Sequence, residues 1–140
     1  MPGKTKYRVI IDTNIWISFL LTNDQSKLDH LFSQQHITIL FNEELLEEFK
    51  NVAQRQKFRK YFSSVVFDNL ILRLQKKAIF IRPKSVVTIC RDSKDDFLLA
   101  LAADGGATHL ITGDKDLLVL TRFKKTDIVT MTEFYLIGSK

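Results

Sequence analysis

Three consecutive β-branched aliphatics, Val9, Ile10 and Ile11, close off most of the folds open to these 140 residues. Their restricted χ1 suits a pleated strand, and their unbroken apolarity suits burial on both faces. A strand covered on both sides needs helices on each side, which points to a parallel sheet inside an α/β domain. Asp12 ends the run, and Asn14 precedes a second apolar stretch, Ile15–Leu21. An acid at the carboxyl end of a central strand lies where open α/β sheets place their chemistry. A plain helix N-cap at Asp12 or Asn14 accounts for the same residues. The choice depends on whether other acids converge there.

The remaining pattern alternates strands with helices. Strands are expected at residues 7–11, Ile37–Phe41, Ala78–Ile81, His109–Thr112 and Asp127–Met131, with a short extended piece at Val86–Ile89. Helices are expected at Ile15–Leu21, Gln25–Gln34, Glu43–Gln56 behind an Asn42 cap, Ser64 to about Ala78, Ser93–Ala103, Asp114–Leu120 and Thr132–Ile137. Ser93–Ala103 is apolar nearly all round after its first turn and should be deeply buried. The sum is one domain, residues 1–140, of class α/β: a three-layer α/β/α sandwich around a mainly parallel sheet of about five strands.

Apolar residues make up 45 % and charged residues 26 %, ordinary for a globular protein. A single cysteine, Cys90, rules out an internal disulfide, and three scattered histidines form no zinc-ligand cluster. This fits a reducing, cytoplasmic location. Lys4, Lys6 and Arg8 before an apolar stretch raise the question of a signal peptide. Asp12 and Asn14 interrupt that stretch and no small-residue cleavage site follows, so none is expected. Nor is a membrane span, because no apolar run approaches ~18 residues.

The net charge of +5 is unevenly placed. Lys50 to Arg91 holds eleven basic residues and one acid, Asp68, while the rest of the chain has an acidic excess. A basic block beside acid-bearing segments suits a polyanion held against carboxylates. Arg55, Lys57, Arg59 and Lys60 interleave with Phe58 and Tyr61, and Arg73 and Lys77, four apart, share an exposed helix face. A solvated charged surface is the plainer reading.

Four segments offer acids to one end of such a sheet. Asp114 repeats the position of Asp12: it follows an apolar strand beyond Thr112-Gly113, with Asp116 two residues on. Asp95 and Asp96 open the apolar helix, where Ser93 and Asp96 have capping-box spacing. A charge against that dry core needs a partner. In the helix after Asn42, ~100° per residue turns Glu48 nearest the apolar stripe and Glu47 away from it, with Glu44 between. Without histidine, a carboxylate pocket suits hard cations such as Mg2+ or Mn2+.

Val-Ile-Ile-Asp12-Thr-Asn14, Leu-Leu-Glu-Glu48-Phe, Asp95-Asp96-Phe-Leu-Leu-Ala-Leu-Ala and Leu-Ile-Thr112-Gly-Asp114-Lys-Asp116-Leu-Leu together resemble the PIN-domain family. The likeness runs from residue 8 to about 134, nearest to the VapC-related branch of toxins in toxin–antitoxin systems. It implies a Mg2+- or Mn2+-dependent endoribonuclease. Its catalytic acids would be Asp12, Glu48, Asp96 and Asp114, with Asp12, Asp96, Asp114 and Asp116 at the metal and Asn14 and Thr112 in support. Glu47 beside Glu48 and Asp95 beside Asp96 leave a one-residue ambiguity in each assignment. The resemblance further implies RNA as substrate, a small antitoxin as partner, and a homodimer.

Two other functions stay open. A phosphatase of the haloacid dehalogenase type needs a second acid where this chain has Asn14. A non-catalytic nucleic-acid-binding or protein-interaction module would keep the basic block without needing the acids. Trp16 and Phe19 are expected in the core or a dimer contact, and His109 as a packed residue. Cys90 shows no nucleophile constellation.

Overall fold

The computed structural model describes residues 6–22, 25–88 and 93–138. In chain order the elements are β1 (Tyr7–Ile11), α1 (Thr13–Thr22), α2 (Gln25–Ser33), β2 (Ile37–Phe41), α3 (Glu43–Ala53), α4 (Gln56–Arg59) and α5 (Ser64–Lys77). Then follow β3 (Ile79–Phe80), α6 (Ser93–Gly105), β4 (His109–Ile111), α7 (Lys115–Leu118), β5 (Arg122–Phe123), β6 (Thr126–Val129) and α8 (Met131–Gly138).

The strands form a six-stranded sheet ordered β3-β2-β1-β4-β6-β5, with β1 inside. All neighbours are parallel except β5, which turns back antiparallel to β6. The expected set of about five becomes six because β5 is two residues long and carries no strand pattern. Its turns bring Thr121 and Lys124 to positive φ without glycine, so the usual hairpin signal is missing. Residues 86–88 are irregular instead of extended in a ladder, and Ile89 lies outside the described residues. Just before them the Asp104 carboxylate accepts from the Lys84 and Ser85 backbone N–H groups and from the Ser85 hydroxyl, so a distant side chain and not a strand partner holds the chain there. The long helix expected to reach Gln56 stops at Ala53, and α4 is a separate turn.

Val9, Ile10 and Ile11 are fully buried, so β1 is covered on both faces as its composition requires. Alternation in a strand puts Val9, Ile39 and His109, which are in register, on one face, and Arg8, Ile10 and Leu40 on the other. On the first face Trp16 packs among Phe19, Phe32, Phe41 and Phe49, ring centroids 5.9–6.3 Å away. Truncating such a buried ring costs about 3–5 kcal/mol, so Trp16 anchors the layer formed by α1, α2 and α3. On the other face lies α6, where no residue from 95 to 105 is exposed.

Gly105, its last residue, explains how closely α6 sits. A Cβ there would come within 2.9 Å of Leu40 Cδ1. Its carbonyl accepts from Arg8 Nε at 2.9 Å. Since Arg8 is near the start of β1, α6 runs antiparallel to that strand. Its first turn, carrying Asp95 and Asp96, therefore lies at the end of the sheet where β1 and β4 finish. The chain then leaves the helix through Gly106 at φ +63°, a conformation that other residues adopt at a cost.

Candidate active site

The parallel pairing of Ile11 with Ile111 sets the next residue of each strand side by side. Asp12 N–H continues the ladder to the Ile111 carbonyl at 2.9 Å. Across this step the Thr112 hydroxyl donates to Asp12 Oδ2 at 2.7 Å. Thr112 Oγ1 also accepts from the Asp114 backbone N–H at 3.0 Å. A hydroxyl can donate once and accept as well, so one fully buried side chain fixes both acids. Asp114 in turn accepts from Asp116 N–H at 2.9 Å and caps α7. Asp12 also caps α1, its carbonyl accepting from Ile15 and Trp16 N–H.

Asp12 is only 8 % exposed. Burial pushes its carboxyl above the ordinary 3.8, the Thr112 hydroxyl and the Thr13 and Asn14 N–H groups pull it back, and the charge of Asp114 pushes it up again. Among the described residues neither Asp12 nor Asp114 forms an ion pair with a basic side chain. Two adjacent carboxylates that repel each other, with no cation from the described residues between them, fit a hard divalent ion. Such an ion commonly takes one or two carboxylates and completes its shell with water and phosphate. Among the described residues no three His, Cys, Asp or Glu side chains surround a common point. The linked unit is therefore Asp12–Thr112–Asp114.

The other predicted acids lie on α3, α6 and α7. Asp95 and Asp96 are nearly buried in the first turn of α6, whereas the Ser93 side chain, and with it the capping-box expectation, lies outside the described residues, as does Cys90. Asn42 caps α3, accepting from Leu45 N–H at 2.8 Å. From that start Glu48 turns half-inward while Glu43, Glu44 and Glu47 are exposed, as helical rotation requires. Glu44, Glu47, Glu48 and Arg55 share a cavity of about 430 Å3 with Phe97 of α6. Asp116 and Asn14 are exposed. Thr13 was not anticipated: it is buried beside Asp12, and its Oγ1 has no hydrogen-bond partner among the described residues. Only its place between Asp12 and Asn14 could have flagged it.

The basic block divides. Arg55, Lys57, Arg59 and Lys60 are exposed around α4, with Lys57 Nζ 5.0 Å from the Phe58 ring centroid and Lys60 Nζ 5.3 Å from that of Tyr61. Tyr61 is exposed, while Phe58 packs against the core. Arg73 departs from the expected open face. It pairs with Asp29 at 3.0 Å and lies 4.4 Å over the Phe32 ring, whereas Lys77 is exposed. His109 packs edge-on to Tyr7 and Phe134. Burial lowers its pKa below 6.5 against an opposing push from Asp127.

Comparison with known proteins adds three findings. A family model described as PIN domain matches residues 8–116. The uncharacterized protein MJ1680 of Methanocaldococcus jannaschii is 31 % identical over 123 residues, covering 84 % of this chain and 77 % of that one. The crystal structure of PAE2754 from Pyrobaculum aerophilum superposes with a TM-score of 0.61, covering 96 % of this chain and 91 % of that one. At 14 % identity that likeness is one of fold.

Proposed function

The chain belongs to the PIN-domain family, and from that premise we propose that it is a Mg2+- or Mn2+-dependent endoribonuclease. PIN domains are generally nucleases, and those nucleases generally use divalent metals. The observation that carries the reading is the Asp12–Thr112–Asp114 unit, a pair of acids pinned at the carboxyl end of adjacent strands with no basic partner among the described residues.

In this reading Asp12 and Asp114 hold the cation, Asp96 in the first turn of α6 joins them when it binds, and Asp116 is auxiliary. When bound, the cation supplies Lewis acidity toward the scissile phosphate and makes a water more acidic. The Thr112 hydroxyl favours the ionised form of Asp12 and aims it, and Asn14 supports the rim. Glu48, half-buried on α3, is the acid assigned to take the proton of the attacking water. Arg55, Lys57, Arg59, Lys60 and Lys77 neutralise flanking phosphates, giving affinity without sequence choice.

The finer role proposed is that of a cytoplasmic toxin, acting as a homodimer and held inactive by a small antitoxin. A short reading frame beside this gene, whose product co-purifies with the chain and blocks cleavage, is the test of that role. The nuclease itself is tested with Asp12→Asn on an unstructured RNA, with Mg2+, Mn2+ or EDTA. Loss of metal-dependent cleavage with RNA binding retained supports the enzyme. Undiminished cleavage by the variant refutes it, and binding without cleavage by the unaltered protein favours a non-catalytic module.

A further inference from the structure

One step along the sheet from Asp12, a cavity of about 600 Å3 opens past the ends of β2 and β3, lined by Glu43, Glu44, Phe80, Ile81, Arg82 and Pro83. Its volume falls within the roughly 300–1,000 Å3 of small-molecule sites. Resting on the nuclease reading, we propose that this cavity receives an unpaired guanine base of the RNA substrate.

The floor is aromatic. Phe80 is 41 % exposed, yet its ring is backed by buried Phe41, centroids 6.0 Å apart, so one ring is fixed while part of it stays open for stacking. The rim carries opposite charges that do not cancel. Among the described residues the side chains of Arg82, Glu43 and Glu44 make no hydrogen bond or ion pair. Among the described residues two carboxylates against one guanidinium leave the cavity net negative, which disfavours a phosphate and favours a neutral ligand with separate donor and acceptor edges. Guanine has both: its N1–H and N2 amino group donate as a pair to a carboxylate. Its O6 and N7 accept as a pair from a guanidinium. Adenine and uracil lack both matched pairs, and cytosine lacks the donor pair.

The location fits as well. Asn42 follows β2 as Asp12 follows β1, and the two strands are neighbours. At 4.7–4.9 Å per strand step, β3 is about 10 Å from β1, within a nucleotide or two of a phosphate at Asp12. Glu44 lines this cavity and also the one containing Glu48. The basic block supplies general affinity, and this cavity supplies the choice of base.

The test separates binding from cleavage. In the Asp12→Asn background with Mg2+ present, fluorescence anisotropy compares uridine hexamers carrying one central guanosine, adenosine, cytidine or inosine. Guanosine should bind about tenfold tighter than the others, inosine losing because it lacks the N2 donor. Adding Phe80→Ala should weaken binding of every purine hexamer, and Arg82→Ala or Glu43→Gln with Glu44→Gln should erase the guanosine preference. Circular dichroism confirms that each variant is folded. Equal binding of all hexamers, with cleavage by the unaltered protein intact, overturns the guanine pocket alone. A guanosine preference without any cleavage by the unaltered protein overturns the nuclease reading instead.

Discussion

Replacing Thr112 by valine keeps the shape of a fully buried side chain and deletes its hydroxyl. Two hydrogen bonds go with it. The 2.7 Å bond to Asp12 is made to a carboxylate that is 8 % exposed, so water cannot take over; bonds to charged groups contribute about 1.5–3 kcal/mol. The 3.0 Å bond from Asp114 N–H is partly buried and is worth about 0.5–1.5 kcal/mol. The metal-free variant should therefore lose about 2–4 kcal/mol at pH 7. At about 4 °C per kcal/mol for a chain of this size, that is a fall in Tm of roughly 8–16 °C. The loss also carries a pH signature. Burial already raises the Asp12 pKa above 3.8, so the folded state holds a proton more tightly than the unfolded one. Stability from this group is full below 3.8 and is lost as pH rises through its folded value. Removing Thr112, which lowers that pKa, moves the loss to higher pH and enlarges it, so the two proteins should converge on acidification. Thermal unfolding in EDTA across pH 4–8 reads this, with Thr112→Ser as the restoring control. A deficit below 1 kcal/mol, or one constant with pH, would refute the linkage drawn between Thr112 and Asp12.

Other expectations follow from the same contacts. Asp12→Asn should raise the Tm of the metal-free protein at neutral pH, because it removes a buried charge repelled by Asp114. It should also cut cleavage by more than the roughly 10–100-fold typical of losing a supporting group; calorimetry and a gel assay check the pair. Lys60→Ala should lower the slope of log affinity against log salt by about 0.7 for single-stranded RNA. Arg73→Ala should leave that slope unchanged and cost about 1 kcal/mol, since Arg73 is engaged by Asp29 and Phe32. His109 resists protonation, its folded pKa lying below 6.5. Its contribution is therefore present above 6.5 and lost as pH falls through the folded value, and His109→Phe should flatten that acid limb in a pH–stability profile.

Local chemistry was enough for much of this protein. The Val9–Ile11 run specified a strand buried on both faces, the Asn42 cap and its following apolar stripe specified α3, and 100° per residue separated Glu48 from Glu47. Each depends on neighbours within a few residues, where sterics and periodicity act directly. Contacts between distant segments were not readable in that way. Thr112 meets Asp12 across 100 positions because β1 and β4 pair in one register, and a single-residue slip would turn the hydroxyl to the other face. Arg73 looked like an open cation until α2 brought Asp29 to it from 44 positions away. The two-residue β5 exists only because β6 offers it a ladder, and residues 84–85 are held by Asp104 instead of by a strand. Sequence thus set which residues are apolar, capped or charged; register and crossover decided which of them touch, and so which acids share one hydroxyl.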